Sequence, residues 1–102
     1  MNRGDVWLAQ VGLRRRRVLM LTRDEVLDVR ALVTVAEITT SARGLAAEVD
    51  VDAERAGIDD ASVINCDGLH TVAQSMLTSR VGTVDDETLA RVCSAVSYAL
   101  GC

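Results

Sequence analysis

Four consecutive arginines at residues 14–17 are the densest concentration of charge in this 102-residue chain. Guanidinium groups bind phosphates bidentately and stay charged at any physiological pH, so the run reads either as an oxyanion-binding edge or as a solvated loop. Glu37 stands inside an otherwise apolar stretch, ALVTVAEITT, where an inward carboxylate needs a partner, an arginine being one candidate. His70 is the only histidine and lies in NCDGLHT beside Asp67 and Thr71. A lone histidine excludes a two-histidine acid and base pair, and its plainest reading is a structural or exposed residue. Asp67 followed by Gly68 is first of all a turn signal. No Ser/His/Asp spacing, Walker motif, dinucleotide fingerprint or metal-ligand cluster is present, so neither a cofactor nor a metal is expected. Cys66, Cys93 and Cys102 form an odd set without a close pair, which reads as ordinary thiols rather than a disulfide framework or a zinc site.

The elements that must position these groups follow from periodicity. Residues 4–11 alternate Val6 and Leu8 with Trp7 and Ala9, as in a strand partly buried on both faces; Trp7 is read as core, with base stacking as the alternative. Gly12 marks a turn, and residues 16–22 form a second strand antiparallel to the first. Residues 23–29 make a loop with one helical turn, and residues 31–40 the clearest strand. Residues 46–52, 62–66 and 76–82 complete six strands, with 53–60 a connector and 67–72 an irregular extension. Side-chain alternation places Arg16, Val18, Met20 and Thr22 on one face of their strand and Val33, Val35, Glu37 and Thr39 on one face of theirs. An arginine and a threonine can thereby converge at the sheet's edge. Leu89, Val92, Cys93, Val96, Ala99 and Leu100 fall on one stripe of a C-terminal amphipathic helix. Thr83 with Asp86 suggests a capping box at its start, acids at 85–87 suit the positive end of its dipole, and Gly101 marks its stop.

One domain over residues 1–102 fits the length, and 49% hydrophobic with 25% charged residues is the balance of a folded chain. The fold expected is mainly β with a C-terminal α-helix, a small barrel or sandwich. A net charge of −4 argues against coating nucleic acid through a diffuse positive field, yet the charges are segregated and leave room for a local basic groove. The longest apolar runs are a few residues, too short for a membrane span or a signal-peptide core, so no membrane partner and a cytoplasmic protein are expected.

Read in order, NRGDVWLAQV, RRVLMLTRD, VTVAEITTSARGLAAEVDVDAERAGIDDASVINCDGLHTV and VGTVDDETLARVCSAVSYALG resemble the MazF/PemK toxins of bacterial toxin–antitoxin systems across nearly the whole chain. The resemblance implies an SH3-like, PemK/CcdB-type barrel with a C-terminal helix, assembled as a homodimer. It implies a sequence-specific endoribonuclease that cuts single-stranded RNA without metal, inhibits translation and growth, and is silenced by a cognate MazE-like antitoxin lying over the RNA groove. The family's catalytic arginine falls on Arg16 and its catalytic threonine on Thr39. In such cleavage the 2′-hydroxyl attacks the adjacent phosphorus, and a guanidinium beside a hydroxyl donor stabilises the charge that grows on the non-bridging oxygens. Arginine is a poor base because its pKa exceeds about 12, leaving Glu37, Asp67 and His70 as candidates for the general base. Arg14, Arg15, Arg17, Asp67 and His70 are the expected RNA contacts, since sequence-specific RNA readout favours unpaired bases.

The chain departs from the family pattern near that groove. Arg17 replaces the usual proline, the first hairpin lacks a G-S-E-Q stretch, Glu37 stands where proline is usual, and CDGLHT keeps the acid at Asp67 but replaces a glutamine and an arginine with Gly68 and His70. Two other readings stay open: a CcdB-like gyrase poison, which needs a tryptophan-containing helix tip where this helix ends YALGC, and a non-catalytic barrel that only binds antitoxin. An acidic antitoxin tail is expected across the arginine hairpin, competing with RNA and weakened with it by salt.

Overall fold

Alternating side chains build β1 (Asp5–Val11), which pairs antiparallel with β2 (Arg14–Met20) in the computed structural model, where every residue except Gly12 is described. The turn expected at Gly12 lies outside the described residues. β2 begins two residues earlier than the apolar pattern predicts, because a ladder needs only backbone groups and Arg14 pairs with Val11, Arg15 with Gln10 and Arg16 with Ala9. A 3₁₀ turn, Asp24–Val26, leads to β3 (Leu32–Thr39). β4 (Glu48–Val51), the short helix α1 (Ala53–Ala56), the long β5 (Ser62–Ala73), a second 3₁₀ turn (Gln74–Met76), β6 (Leu77–Thr83) and α2 (Asp86–Leu100) complete the chain. The sheet order is β4-β5-β3-β2-β1-β6, every neighbour antiparallel.

The mainly β fold with a C-terminal helix is as expected, but the barrel is not closed by hydrogen bonds: among the described residues no ladder joins β4 to β6. The gap is bridged by α1, whose backbone lies against β6. A Cβ on Gly57 would overlap the Val81 carbonyl, and one on Gly82 would overlap the backbone of Ala56. Gly57 also takes the left-handed conformation, φ 72°, that ends α1. Two glycines thus permit the contact that curls the sheet.

Strand parity divides the apolar residues into two clusters. On the helix-facing side Val6, Leu19, Ala36, Ile38, Ile64 and Cys66 pack with Val92 and Ala95 of α2. On the other side Ala9, Val18, Met20, Val33, Val35 and Leu77 pack together, with Trp7 against them. Trp7 is therefore packed against the core, with its buried indole N–H lacking an acceptor among the described residues. Burial first, then the charges of Asp67 and Cys93, pushes the Cys66 thiol up to about 11, leaving it an inert core residue.

Two details of α2 differ from the sequence pattern. Its N-cap is Asp85, whose carboxylate accepts a 2.8 Å bond from the Thr88 N–H, not Thr83. Thr83 is held in β6 opposite Asp5, and its hydroxyl turns to the Gly4 carbonyl at 3.3 Å. The buried stripe runs through Thr88, Val92 and Ala95, while Cys93 and Leu100 remain exposed. The period is right, and Leu89, Val96 and Ala99 of the expected stripe pack beside Val92 against the core; Cys93 and Leu100 are left outside because the curled sheet covers less than the full apolar arc.

Candidate functional site

The three strands β2, β3 and β5 lie side by side, and the site forms on the face that carries Val18 and Val35. Register sets it. Val18 pairs with Glu37, so Arg16, two residues back on the same face, sits diagonally from Glu37. On the other flank β5 contains a bulge: Glu37 pairs with Asn65 while the adjacent Ala36 pairs with Leu69, leaving Cys66, Asp67 and Gly68 outside the β3 ladder. The bulge brings His70 opposite Val35, again diagonal to Glu37.

The side chains close the arrangement. Arg16 Nη1 donates to Glu37 Oε1 at 2.7 Å, and His70 Nε2 lies 3.5 Å from Glu37 Oε2. Arg16, Glu37 and His70 line one cleft of about 750 Å³, walled by Ala9, Val18 and Val35. The Arg16 side chain is 42% exposed and that of Glu37 24%, so the pair is well solvated and worth at most about 1 kcal/mol to folding. It can be exchanged for another anion at little cost. Gly68 keeps the space open: a Cβ there would lie 2.9 Å from Asn65 Nδ2 and 3.3 Å from Glu37 Oε2.

The other residues singled out in the sequence are placed differently. Thr39 shares the Glu37 face at the end of β3, but its Oγ1 accepts a 3.0 Å bond from the Ser41 N–H, and among the described residues it makes no hydrogen bond with Arg16. The arginine run is split by the strand: Arg14 falls on the Arg16 face, while Arg15 and Arg17, opposite Gln10 and Leu8, fall on the other. All four are exposed, and among the described residues no ion pair engages Arg14, Arg15 or Arg17. Asp67 is exposed in the bulge and does not line the cleft; its N–H donates to Asn65 Oδ1 at 3.1 Å.

Sequence reasoning missed two supporting groups. Asn65 organises the bulge, and Asp5, only 4% exposed, pairs with Arg80 at 3.2 Å and accepts from the Asn2 N–H at 2.8 Å, tying β1 to β6. A carboxylate opening an apolar strand was the available signal for Asp5. No comparable signal existed for Asn65, whose role depends on a three-residue bulge. A second hollow of about 570 Å³ lies between α2 and the β2–β3 connection, where the Arg3 guanidinium donates to the Leu21 carbonyl and to Cys93 Sγ. It gathers no carboxylate or imidazole, so the chemistry is placed in the first cleft.

Comparison with known proteins bears on the family and the fold. Residues 2–100 match the family described as PemK-like, MazF-like toxin of type II toxin-antitoxin system. The chain is similar to the probable endoribonuclease MazF5 of Mycobacterium tuberculosis, 34% identical over 98% of this chain and 93% of the relative. The solved structure of Mycobacterium tuberculosis toxin MazF-mt6 superposes with a TM-score of 0.88 at 36% identity, covering 95% of this chain and 96% of that one. An endoribonuclease in complex with its cognate antitoxin from a mycobacterial species superposes at 0.89 with 22% identity, over 99% of this chain and 95% of that one, a likeness of fold.

Proposed function

Since the chain belongs to the PemK-like, MazF-like family of type II toxins, matched over residues 2–100, we propose that it is a growth-inhibiting toxin that acts as a sequence-specific endoribonuclease on single-stranded RNA. The observation that carries this reading is Arg16, whose guanidinium lines the cleft already bound to a carboxylate at 2.7 Å. A carboxylate offers a guanidinium the same two-oxygen face as a phosphate, so the scissile phosphate can take the place of Glu37 on Arg16. There the guanidinium opposes the negative charge that grows on the non-bridging oxygens as the 2′-hydroxyl attacks phosphorus. Thr39, next on the same face, accepts from the Ser41 N–H through Oγ1 and keeps its hydroxyl proton to donate to the phosphate.

Arg14 extends the positive face beyond Arg16 and holds the neighbouring backbone of the RNA, while Arg15 and Arg17 carry that charge around the sheet's edge. The same surface suits the acidic tail of a MazE-like antitoxin, which would compete with RNA for it. The reading includes a homodimer acting in the cytoplasm, with no metal in the reaction. No helix among the described residues is long and apolar enough to cross a membrane.

The test is to incubate the purified, antitoxin-free protein with a long unstructured RNA and a chelator, then map the cuts and end groups beside Arg16→Ala. Discrete cuts at one short motif, leaving 2′,3′-cyclic phosphate and 5′-hydroxyl ends and absent in the variant, are expected. A folded dimer that cuts nothing overturns the proposal.

A further inference from the structure

We propose that His70 is the general base of the cleavage, with Glu37 as the positioning residue that fixes its imidazole; the inference rests on the ribonuclease reading above. Of the candidate bases, Asp67 is outside the cleft, whereas His70 and Glu37 both line it. Glu37 is the middle member of a chain, with one carboxylate oxygen on Arg16 at 2.7 Å and the other 3.5 Å from His70 Nε2. A carboxylate behind one ring nitrogen fixes the neutral tautomer with its proton on that nitrogen and leaves the other, Nδ1, as a lone-pair acceptor. The same carboxylate stabilises the imidazolium once a proton arrives.

Nδ1 of neutral His70 takes the 2′-hydroxyl proton, the 2′-oxygen bonds to phosphorus, and the bond from phosphorus to the 5′-oxygen breaks. The 5′-oxygen leaves with a proton from water, and the imidazolium returns its own proton to solvent. Arrival of the phosphate on Arg16 also frees Glu37 from its first partner, so substrate binding tightens the hold on the base. The ionisable groups facing His70 are Glu37 from β3 and, beyond it, Arg16 from β2; on β5 itself Asp67 is outside the cleft.

The experiment measures kcat/KM against pH on a short single-stranded RNA containing the mapped cut site, for the wild type, His70→Gln and Glu37→Gln. Circular dichroism and binding of the 2′-deoxy form of that RNA serve as controls for folding and affinity. The wild-type rate should rise with pH along a single limb, as for a base that must be free of its proton to act. His70→Gln should remove that limb and lower the rate by about 10²–10⁴-fold while binding stays within a few-fold. Glu37→Gln should keep the limb and lower the rate by less than His70→Gln, because the amide still holds the ring but no longer stabilises the imidazolium. A substrate with sulfur as the 5′ leaving atom needs no proton donor, and the His70→Gln defect should persist on it. A His70→Gln enzyme that keeps the wild-type rate and limb, or one rescued by the sulfur substrate, overturns the assignment while leaving the ribonuclease reading intact. Failure of the wild type to cut overturns both.

Discussion

The two faces of the sheet are drawn from the same strands and end in opposite compositions. On the helix-facing side Leu19, Ala36, Ile38 and Ile64 continue into Val92 and Ala95 of α2, with Arg15 and Arg17 only at the far end of β2. On the other side Val18, Met20, Val33 and Val35 begin an apolar floor, and then β2 places Arg16, β3 places Glu37 and β5 places His70 beyond it. The first face buries its apolar residues against α2, while the second leaves Arg16, Glu37 and His70 between 24% and 56% exposed. Stability is thus concentrated where no chemistry is placed, and the cleft residues can be altered without unfolding the chain.

That contrast can be broken first at Arg16. Arg16→Ala should lower RNA cleavage by about 10²–10³-fold or more, the scale for losing one oxyanion donor, with little change in thermal stability. A large fall in melting temperature would show that the second face also holds the fold together. The converse is Ile64→Ala on the helix side, which should destabilise by about 2–5 kcal/mol in denaturant titration while the remaining folded protein cuts at the wild-type rate. At the seam between the sheet edges, Gly82→Ala forces a methyl into the Ala56 backbone and should cost about 3 kcal/mol by the same measurement.

Smaller effects sharpen the comparison. Arg14→Ala should reduce the slope of log affinity against log salt for RNA by about 0.7, as expected for one lost phosphate contact on a single strand. Arg15→Ala should reduce it less, because its side chain leaves the opposite face of β2. Equal slopes would mean that RNA wraps the edge and uses both faces alike. The smallest effect belongs to the cap of α2. Hydrogen bonds from the Thr88 hydroxyl and then its N–H hold the Asp85 carboxyl below the usual carboxylate range. A depressed carboxylate contributes stability above its unfolded value near about 4 and loses it as pH falls through its lower folded value. Asp85→Asn should therefore lose that small increment above about pH 4, flatten the acid side of the stability curve and leave stability at the acid end nearly unchanged.

Much of this frame was legible in one dimension. Strand alternation located β1, β3 and β6 to within about two residues, and the 3.6-residue period located α2, because both patterns record which side of an element is dry. The caps and edges were less legible. Thr83 has the chemistry of an N-cap but is claimed by the β6 ladder, so the role passes to Asp85. The arginine run looked like one patch, yet a strand turns alternate members of any run to opposite faces.

The amino-acid sequence by itself determined the six strands, the terminal helix, the family and the presence of Arg16, Glu37 and His70 as reactive types, since each is written in local period or residue identity. Only the tertiary structure decided that these three share one cleft, that Asp67 is excluded from it and that Thr39 lies beside rather than within it. The physical reason is register. Two strands far apart in the chain can be paired at many offsets, and the offset chosen here is set by the bulge at residues 66–68 and by burial of Cys66 and Ile64 under α2, long-range contacts that no local pattern encodes.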